Sequence, residues 1–344
     1  MPCRAGRAAD TKGVCPANPD TVLRPRLAAG PARRRRILCL LAVCLLAICL
    51  PWLAAPAALG QPLPAGGPVG KPWDAVLIAS FNIQVFGESK MAKAHVVEVL
   101  ARVVRNFDIV AIQEVRAKSD DIIPSFVRAV NADGSRYHYV IGPREGRTVS
   151  KEQYVFIYDT NRIEVDPSSV GVVPDPQGRL HRPPMHARFR TRITPAEMAF
   201  TFWLVDIHTD PDEVPQELDA LAGVFQAMQT ARPDEDDVIL LGDLNAGPPE
   251  FHAFRRIPGA AWAVAGATTN TRRTKTYDNL VFARPATSEY LGGWGVLDLQ
   301  TTFGLPLEHA LEVSDHNPVW GAFYPAETRQ QSPGPLAGQP PVRR

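Results

Sequence analysis

AVLIASFNIQVFGESKMAKAHVVEVLARVVRNFDIVAIQEV, residues 75–115, changes its apolar period twice. AVLIASF at its start is nearly all apolar, as a strand covered on both faces requires. From Lys90 to Phe107 apolar residues recur at spacings of three and four, which predicts an amphipathic helix ending at Phe107. DIVAIQEV then returns to an unbroken apolar run, a second buried strand. Further on, a helix is expected around Ile122–Val130, and YHYVIG (137–142) and QYVFIYDT (153–160) read as a strand pair joined by a polar loop. Val214, Leu218, Leu221, Phe225 and Met228 form a helical stripe ahead of the strand VILLGD (238–243). Strand–helix alternation mixed with hairpins points to an α/β (α+β) fold of two sheets packed face to face and flanked by helices.

Outside this region the composition changes. Residues 1–60 carry nine Lys/Arg against two acids, leaving 28 basic and 34 acidic residues beyond them, net −6. That balance excludes a basic protein that coats nucleic acid. All five cysteines (Cys3, Cys15, Cys39, Cys44, Cys49) precede residue 50, so the remainder folds without disulfides and has no thiol or cysteine–zinc chemistry. Arg33–Arg36 precede the 14-residue apolar run ILCLLAVCLLAICL, which Pro51 ends. A basic region, a short apolar core and small residues such as Ala55-Pro56-Ala57 read as an export signal, implying a secreted or extracytoplasmic protein. The alternative is a membrane anchor, for which the run is short. Residues 61–72 read as a Pro/Gly linker, 73–325 as one domain and 326–344 as a disordered tail.

Chemistry collects at the ends of the apolar runs. Asn82 ends the first, Glu114 the second, His208 ends TFWLVDIH, and Asp243 and Asn245 close VILLGDLN. YDNLVF opens with Tyr277 and Asp278, and SDHNPVW brings Asp315 and His316. Acids, amides and two imidazoles recurring at strand ends are the parts of a metal-assisted phosphoester-cleaving site. So many carboxylates brought together would repel one another, which itself argues for a cation.

The motifs SFNIQVFGESKM, IQEVR, YHYV, KEQYVFIY, LVDIHTDP, GDLNA, TYDNLVF and SDHNPV resemble, in this order, those of the deoxyribonuclease I branch of the endonuclease/exonuclease/phosphatase superfamily. The resemblance runs from about Ala75 to Phe323 and implies a four-layered α/β sandwich. It implies Mg²⁺, with Mn²⁺ as a substitute, held by Glu114 with Asn82 nearby and by Asp315. Asp243 and Asn245 would contact the scissile phosphate or a second metal. His208 would act as general acid/base oriented by Glu152, and His316 as the second, held in its tautomer by Asp278. Arg116, Arg182 and Tyr277 would meet substrate phosphate. DNA or another phosphodiester is the implied substrate, and no obligate protein partner is implied.

The pattern also departs from that branch. Ser150 stands where a minor-groove tyrosine is expected, and Gln84 where an arginine is. VVPDPQGRLHRPP (172–184) is shorter than the family's calcium-binding segment, so stimulation by Ca²⁺ does not follow. Arg144, Arg147, Arg272 and Arg273 fall in expected loops as a basic rim. These departures keep open a phosphatase or phosphodiesterase acting on a non-DNA phosphoester, and behind it a non-catalytic binding protein on the same fold.

Overall fold

A computed structural model describes residues 71–149 and 151–328. The expected leader, the linker up to residue 70, Ser150 and the tail from residue 329 lie outside the described residues. In chain order the strands are β1 Val76–Phe86, β2 Ile109–Val115, β3 Tyr137–Ile141, β4 Gln153–Asp159, β5 Ile163–Val165, β6 Gly171–Val172, β7 Met185–Thr191, β8 Thr201–His208, β9 Val238–Asp243, β10 Ala260–Trp262, β11 Asp278–Ala283, β12 Tyr290–Val296 and β13 Val319–Phe323. The α-helices are α1 Glu88–Met91, α2 Ala94–Arg105, α3 Ile122–Val130, α4 Val214–Gln229, α5 Leu299–Phe303 and α6 Leu307–Val313. No helix among the described residues is long and apolar enough to cross a membrane.

The strands form two mixed sheets, β12-β13-β1-β2-β4-β3 and β10-β11-β9-β8-β7-β5, with β6 also on β7. Alternating side chains send each central strand into two cores. In β1, Leu77, Ala79 and Phe81 pack under α2, α3 and α6, while Val76 and Ile78 face the other sheet. In β8, Phe202 and Leu204 face the first sheet, and Trp203, Val205 and Ile207 pack against α4. Helix, sheet, sheet and helix are therefore four layers, and the unbroken apolar runs are strands covered on both faces.

Two details differ from the expected outline. The helix expected over 90–107 forms as α1 and α2, parted at Ala92–Lys93. The break accommodates Lys90, whose Nζ donates to Ile83 O, Gln84 O and Val313 O at 2.9, 2.5 and 2.8 Å instead of pointing outward. At the other end the chain remains bound to the domain past residue 325. Glu327 N donates to Met198 O at 2.9 Å and Thr328 N to Glu289 Oε1 at 2.7 Å.

Each sheet contains one parallel pair, β1 with β2 and β8 with β9, and every other pairing is antiparallel. Parallel neighbours end on the same side. Their antiparallel partners β4, β7, β11 and β13 begin there, as the register Asp278↔Asp243, Met185↔Asp206 and Val115↔Gln153 shows. The topology thus delivers the ends of β1, β2, β8 and β9 and the starts of β4, β7, β11 and β13 to one edge of the sandwich.

Candidate active site

On the face between the sheets, the strands turn polar as they approach that edge. β1 runs Val76, Ile78, Ser80, Asn82; β8 runs Phe202, Leu204, Asp206, His208; β9 runs Ile239, Leu241, Asp243. In β2 the same face carries Ile109, Ala111 and Gln113, so strict alternation would send Glu114 to the opposite side. The β2–β4 register shifts between Ile112 and Val115, and Glu114 takes φ +63°. This irregularity brings Glu114 back to the site. Left-handed backbone at a non-glycine residue costs about 1–3 kcal/mol and persists only where its surroundings enforce it. Here Val85 N donates to Glu114 Oε2 at 2.9 Å and Asn82 Nδ2 to Glu114 Oε1 at 3.2 Å.

The site centres on Asp243 Oδ2. Asn82 Nδ2 donates to it at 2.9 Å, and the Nε2 atoms of His208 and His316 each stand 3.5 Å away. Behind each imidazole is a buried carboxylate on Nδ1: Glu152 Oε1 at 2.8 Å for His208, and Asp278 Oδ2 at 2.9 Å for His316. Asp278 is fixed in turn by Thr269 Oγ1 at 2.7 Å. Burial alone would lower both histidine pKa values. Glu152 outweighs it at His208, which is raised, and Asp278 and Asp243 lift His316 to about 10. Asp243 is held below the usual carboxylate range by the two imidazoles, against a large opposing effect of burial. Glu152 is likewise lowered by His208, Arg182 and Arg116 in spite of its burial.

The remaining expected residues lie around this centre. Arg182 Nε reaches Glu152 Oε1 at 3.0 Å and its Nη1 donates to His208 O at 3.1 Å. Arg116 lies between Glu114 (3.3 Å) and Glu152 (3.5 Å). Both arginines are therefore turned onto Glu152. Asn245 donates its backbone N–H to Asp243 Oδ1 and its amide to Thr209 O, each at 2.9 Å, with φ +47°. Asp315 is 4.0 Å from His316 Nε2, and the Tyr277 ring centroid is 5.6 Å from that of His316. Three of the four rim arginines are paired with acids: Arg144 with Asp120 at 2.6 Å, Arg147 with Glu213 at 2.9 Å and Arg273 with Asp298 at 2.8 Å. Arg272 is exposed.

Asp243, Asp278 and His316 could hold a metal ion, their ligand atoms lying within 4.8 Å of one another. Asp278, however, sits behind His316 on Nδ1 and is fully buried, so its geometry serves the imidazole. Glu114 and Asp243 present hard oxygens on either side of Asn82. Carboxylates from both sheets converge there on the single amide of Asn82. Asn82 Oδ1 accepts from Gln84 N at 2.9 Å, so Asn82 bridges the acids with its NH₂ group.

Sequence reasoning passed over a polar tier beneath these residues. Fully buried Asp206 accepts from Gln113 Nε2 at 2.6 Å, and Gln113 also donates to Ser80 Oγ at 3.1 Å. Tyr154 OH accepts from His208 N at 2.9 Å. The alternation along β8, which puts Asp206 on the same face as His208, was the available signal.

Known proteins resemble this chain in both sequence and fold. Residues 79–316 match the endonuclease/exonuclease/phosphatase family. Deoxyribonuclease-1-like 1 of Sus scrofa is 34% identical over 258 residues, spanning 72% of this chain and 80% of that protein. Human deoxyribonuclease-1 is 32% identical over 261 residues, spanning 70% and 90%. Among solved structures, an endonuclease/exonuclease/phosphatase family protein from Bacteroides thetaiotaomicron superposes with a TM-score of 0.51 at 16% identity, covering 72% of this chain and 94% of that one. A mannosyl-6-phosphatase from the same organism also gives 0.51 at 16% identity, over 72% and 100%. At that identity the structural likeness concerns the fold alone.

Proposed function

Because the chain belongs to the endonuclease/exonuclease/phosphatase family, we propose that it is an exported, divalent-metal-dependent DNA endonuclease. It would hydrolyse phosphodiester bonds to leave 5′-phosphate and 3′-hydroxyl ends. The observation that carries this reading is the two buried carboxylate–imidazole couples, Glu152–His208 and Asp278–His316, with both Nε2 atoms directed at one acidic oxygen of Asp243. In-line displacement at phosphorus requires one proton to leave the attacking water and one to reach the departing 3′-oxygen. Two imidazoles flanking one point supply both. Glu152 and Asp278 fix the tautomers by occupying Nδ1, so each Nε2 faces the reacting atoms. Both carboxylates raise the basicity of their imidazole, which suits the one that takes the water's proton and holds the other as the imidazolium that delivers a proton to the leaving oxygen.

Glu114, Asp243, Asn245 and Asp315, with Asn82 among them, would hold Mg²⁺ or Mn²⁺. When bound, the ion supplies charge neutralisation and polarisation at the phosphate. Arg116 and Arg182, already at Glu152, have guanidinium groups suited to phosphate oxygens, and Tyr277 lies beside His316. Export rests on the basic and apolar segment before residue 57.

The test is nicking of supercoiled plasmid in Mg²⁺, Mn²⁺ or EDTA, wild type beside His208→Ala. Metal-dependent nicking that vanishes in the variant is expected. Three rim arginines neutralised by acids favour a second reading, a phosphodiesterase or phosphatase acting on a smaller, non-DNA phosphoester. Intact plasmid together with metal-dependent hydrolysis of an aryl phosphodiester would select it. No hydrolysis of either substrate would leave a binding protein.

A further inference from the structure

Lys90 lies on α1, which is four residues long and buries none of them. A lysine head normally stays in water. Here all three ammonium donors turn inward onto backbone carbonyls, Ile83 O, Gln84 O and Val313 O, at 2.9, 2.5 and 2.8 Å. Burial lowers the Lys90 pKa to about 8 against the pull of Asp315 and Glu114, so the charged form prevails at neutral pH. α1 is also pinned through Glu88, whose Oε1 accepts from Lys118 N and Ser119 N at 2.9 Å each. The three carbonyls belong to two segments of the active site. Ile83 and Gln84 lead into a turn where Gln84 and Val85 both take left-handed backbone, φ +50° and +49°. For a β-branched valine with an exposed side chain, that conformation is strained and no packing offsets it. What the turn achieves is to aim Val85 N at Glu114 Oε2, 2.9 Å away. Val313 leads into Ser314, Asp315 and His316. Ser314 Oγ donates to Asn82 O at 2.7 Å and accepts from His316 N at 3.0 Å, so it joins the same two segments beside Lys90.

We propose that Lys90 is a positioning residue of the active site. Its ammonium holds the Gln84–Val85 turn in the form that orients the Glu114 carboxylate, and fixes that turn against the segment bearing Asp315 and His316. Without the ammonium, three inward carbonyls lose their donor. The turn then relaxes towards ordinary backbone angles, Val85 N leaves Glu114, and the carboxylate is free to rotate. Lys90 hydrogen-bonds to none of the acids and acts through the backbone alone. The inference rests on the proposed metal-dependent hydrolysis, in which Glu114 is a ligand of the cation.

Mn²⁺ binding to the full chain, followed by the paramagnetic resonance signal of the free ion, tests this without relying on turnover. Lys90→Met should raise, by roughly tenfold, the Kd of the ion that Glu114→Ala weakens. Removing a positive charge would by itself favour the cation, so weaker binding cannot be a charge effect. In a Glu114→Ala background the same substitution should change that Kd by less than about twofold, because its route through Glu114 is already cut. A lysine that only stabilised the fold would act equally in both backgrounds. Should Lys90→Met fail to fold, as read by urea unfolding, Lys90→Gln takes its place. Its amide still serves two carbonyls, so a smaller rise is expected, again lost beside Glu114→Ala. Equal Kd in wild type and the Lys90 variant, or an equal rise in both backgrounds, would overturn the inference and leave the metal reading standing. A wild type that binds no Mn²⁺ would overturn both.

Discussion

Asp243 Oδ2 accepts from Asn82 and faces both Nε2 atoms, so its neighbours are poised against one another through a single atom. His208→Ala and His316→Ala should each lower turnover by roughly 10² or more with unchanged urea unfolding. A near-normal rate in either variant would remove that histidine from the mechanism. Glu114→Ala should weaken the response to Mg²⁺, seen as a shift of the metal titration to higher concentration; an unmoved titration would deny Glu114 a ligand role. Asp206 makes a different prediction. Burial pushes its carboxyl well above the usual range, opposed by the Gln113 hydrogen bond and reinforced by Glu152. A carboxyl raised in the folded state gives its full stability below the unfolded pKa, near ~4, and loses it as pH rises towards the folded value. That loss is up to about 1.4 kcal/mol per pH unit. Asp206→Asn cannot titrate, so its urea-unfolding stability should gain on wild type between pH 5 and 8. Parallel pH profiles would mean that Asp206 is ionised in the folded protein.

At the scale of elements, period and strand ends carried most of the reading. α3 occupies Ile122–Val130 as its spacing predicts, β3 pairs with β4, and the polar strand ends gather at one edge. What escaped was non-local. The left-handed turn at Glu114 depends on Val85 and Asn82 donating to its carboxylate, and apolar spacing carries no record of either bond. The division of α1 from α2 accompanies the turn of Lys90 towards Val313, a residue 223 positions away. The inward turn of Arg116 and Arg182 onto Glu152 likewise belongs to tertiary structure. Gly242 gives this scale its test. It pairs with Ile207 at φ +150°, and a Cβ there would stand 1.8 Å from Ile207 O. Gly242→Ala must therefore part β8 from β9 next to His208 and Asp243. A loss of roughly 3 kcal/mol or more in urea unfolding, together with depressed activity, is expected. An unchanged midpoint would show that the strands yield more easily than their packing implies.

Over the whole molecule, the acidic balance after residue 60 and the paired rim arginines leave few cations to meet a phosphate backbone. A DNA substrate should therefore be held through about three phosphate contacts. Raising salt from 50 to 200 mM should weaken binding by roughly 10- to 100-fold, against 10³–10⁵ for a protein making six to ten contacts. Filter binding across that range decides it, and the steeper slope would mean that the rim pairs open on the substrate. Glu114 hangs from one sheet while His208 and Asp243 hang from the other. The span between them is set by the apolar filling of Ile78, Ala111, Phe156, Leu204 and Leu241, well below the opening. That filling is a calliper: a bulkier residue in the middle of the sandwich would open its jaws and retune which phosphoester fits, without altering one polar atom at the mouth.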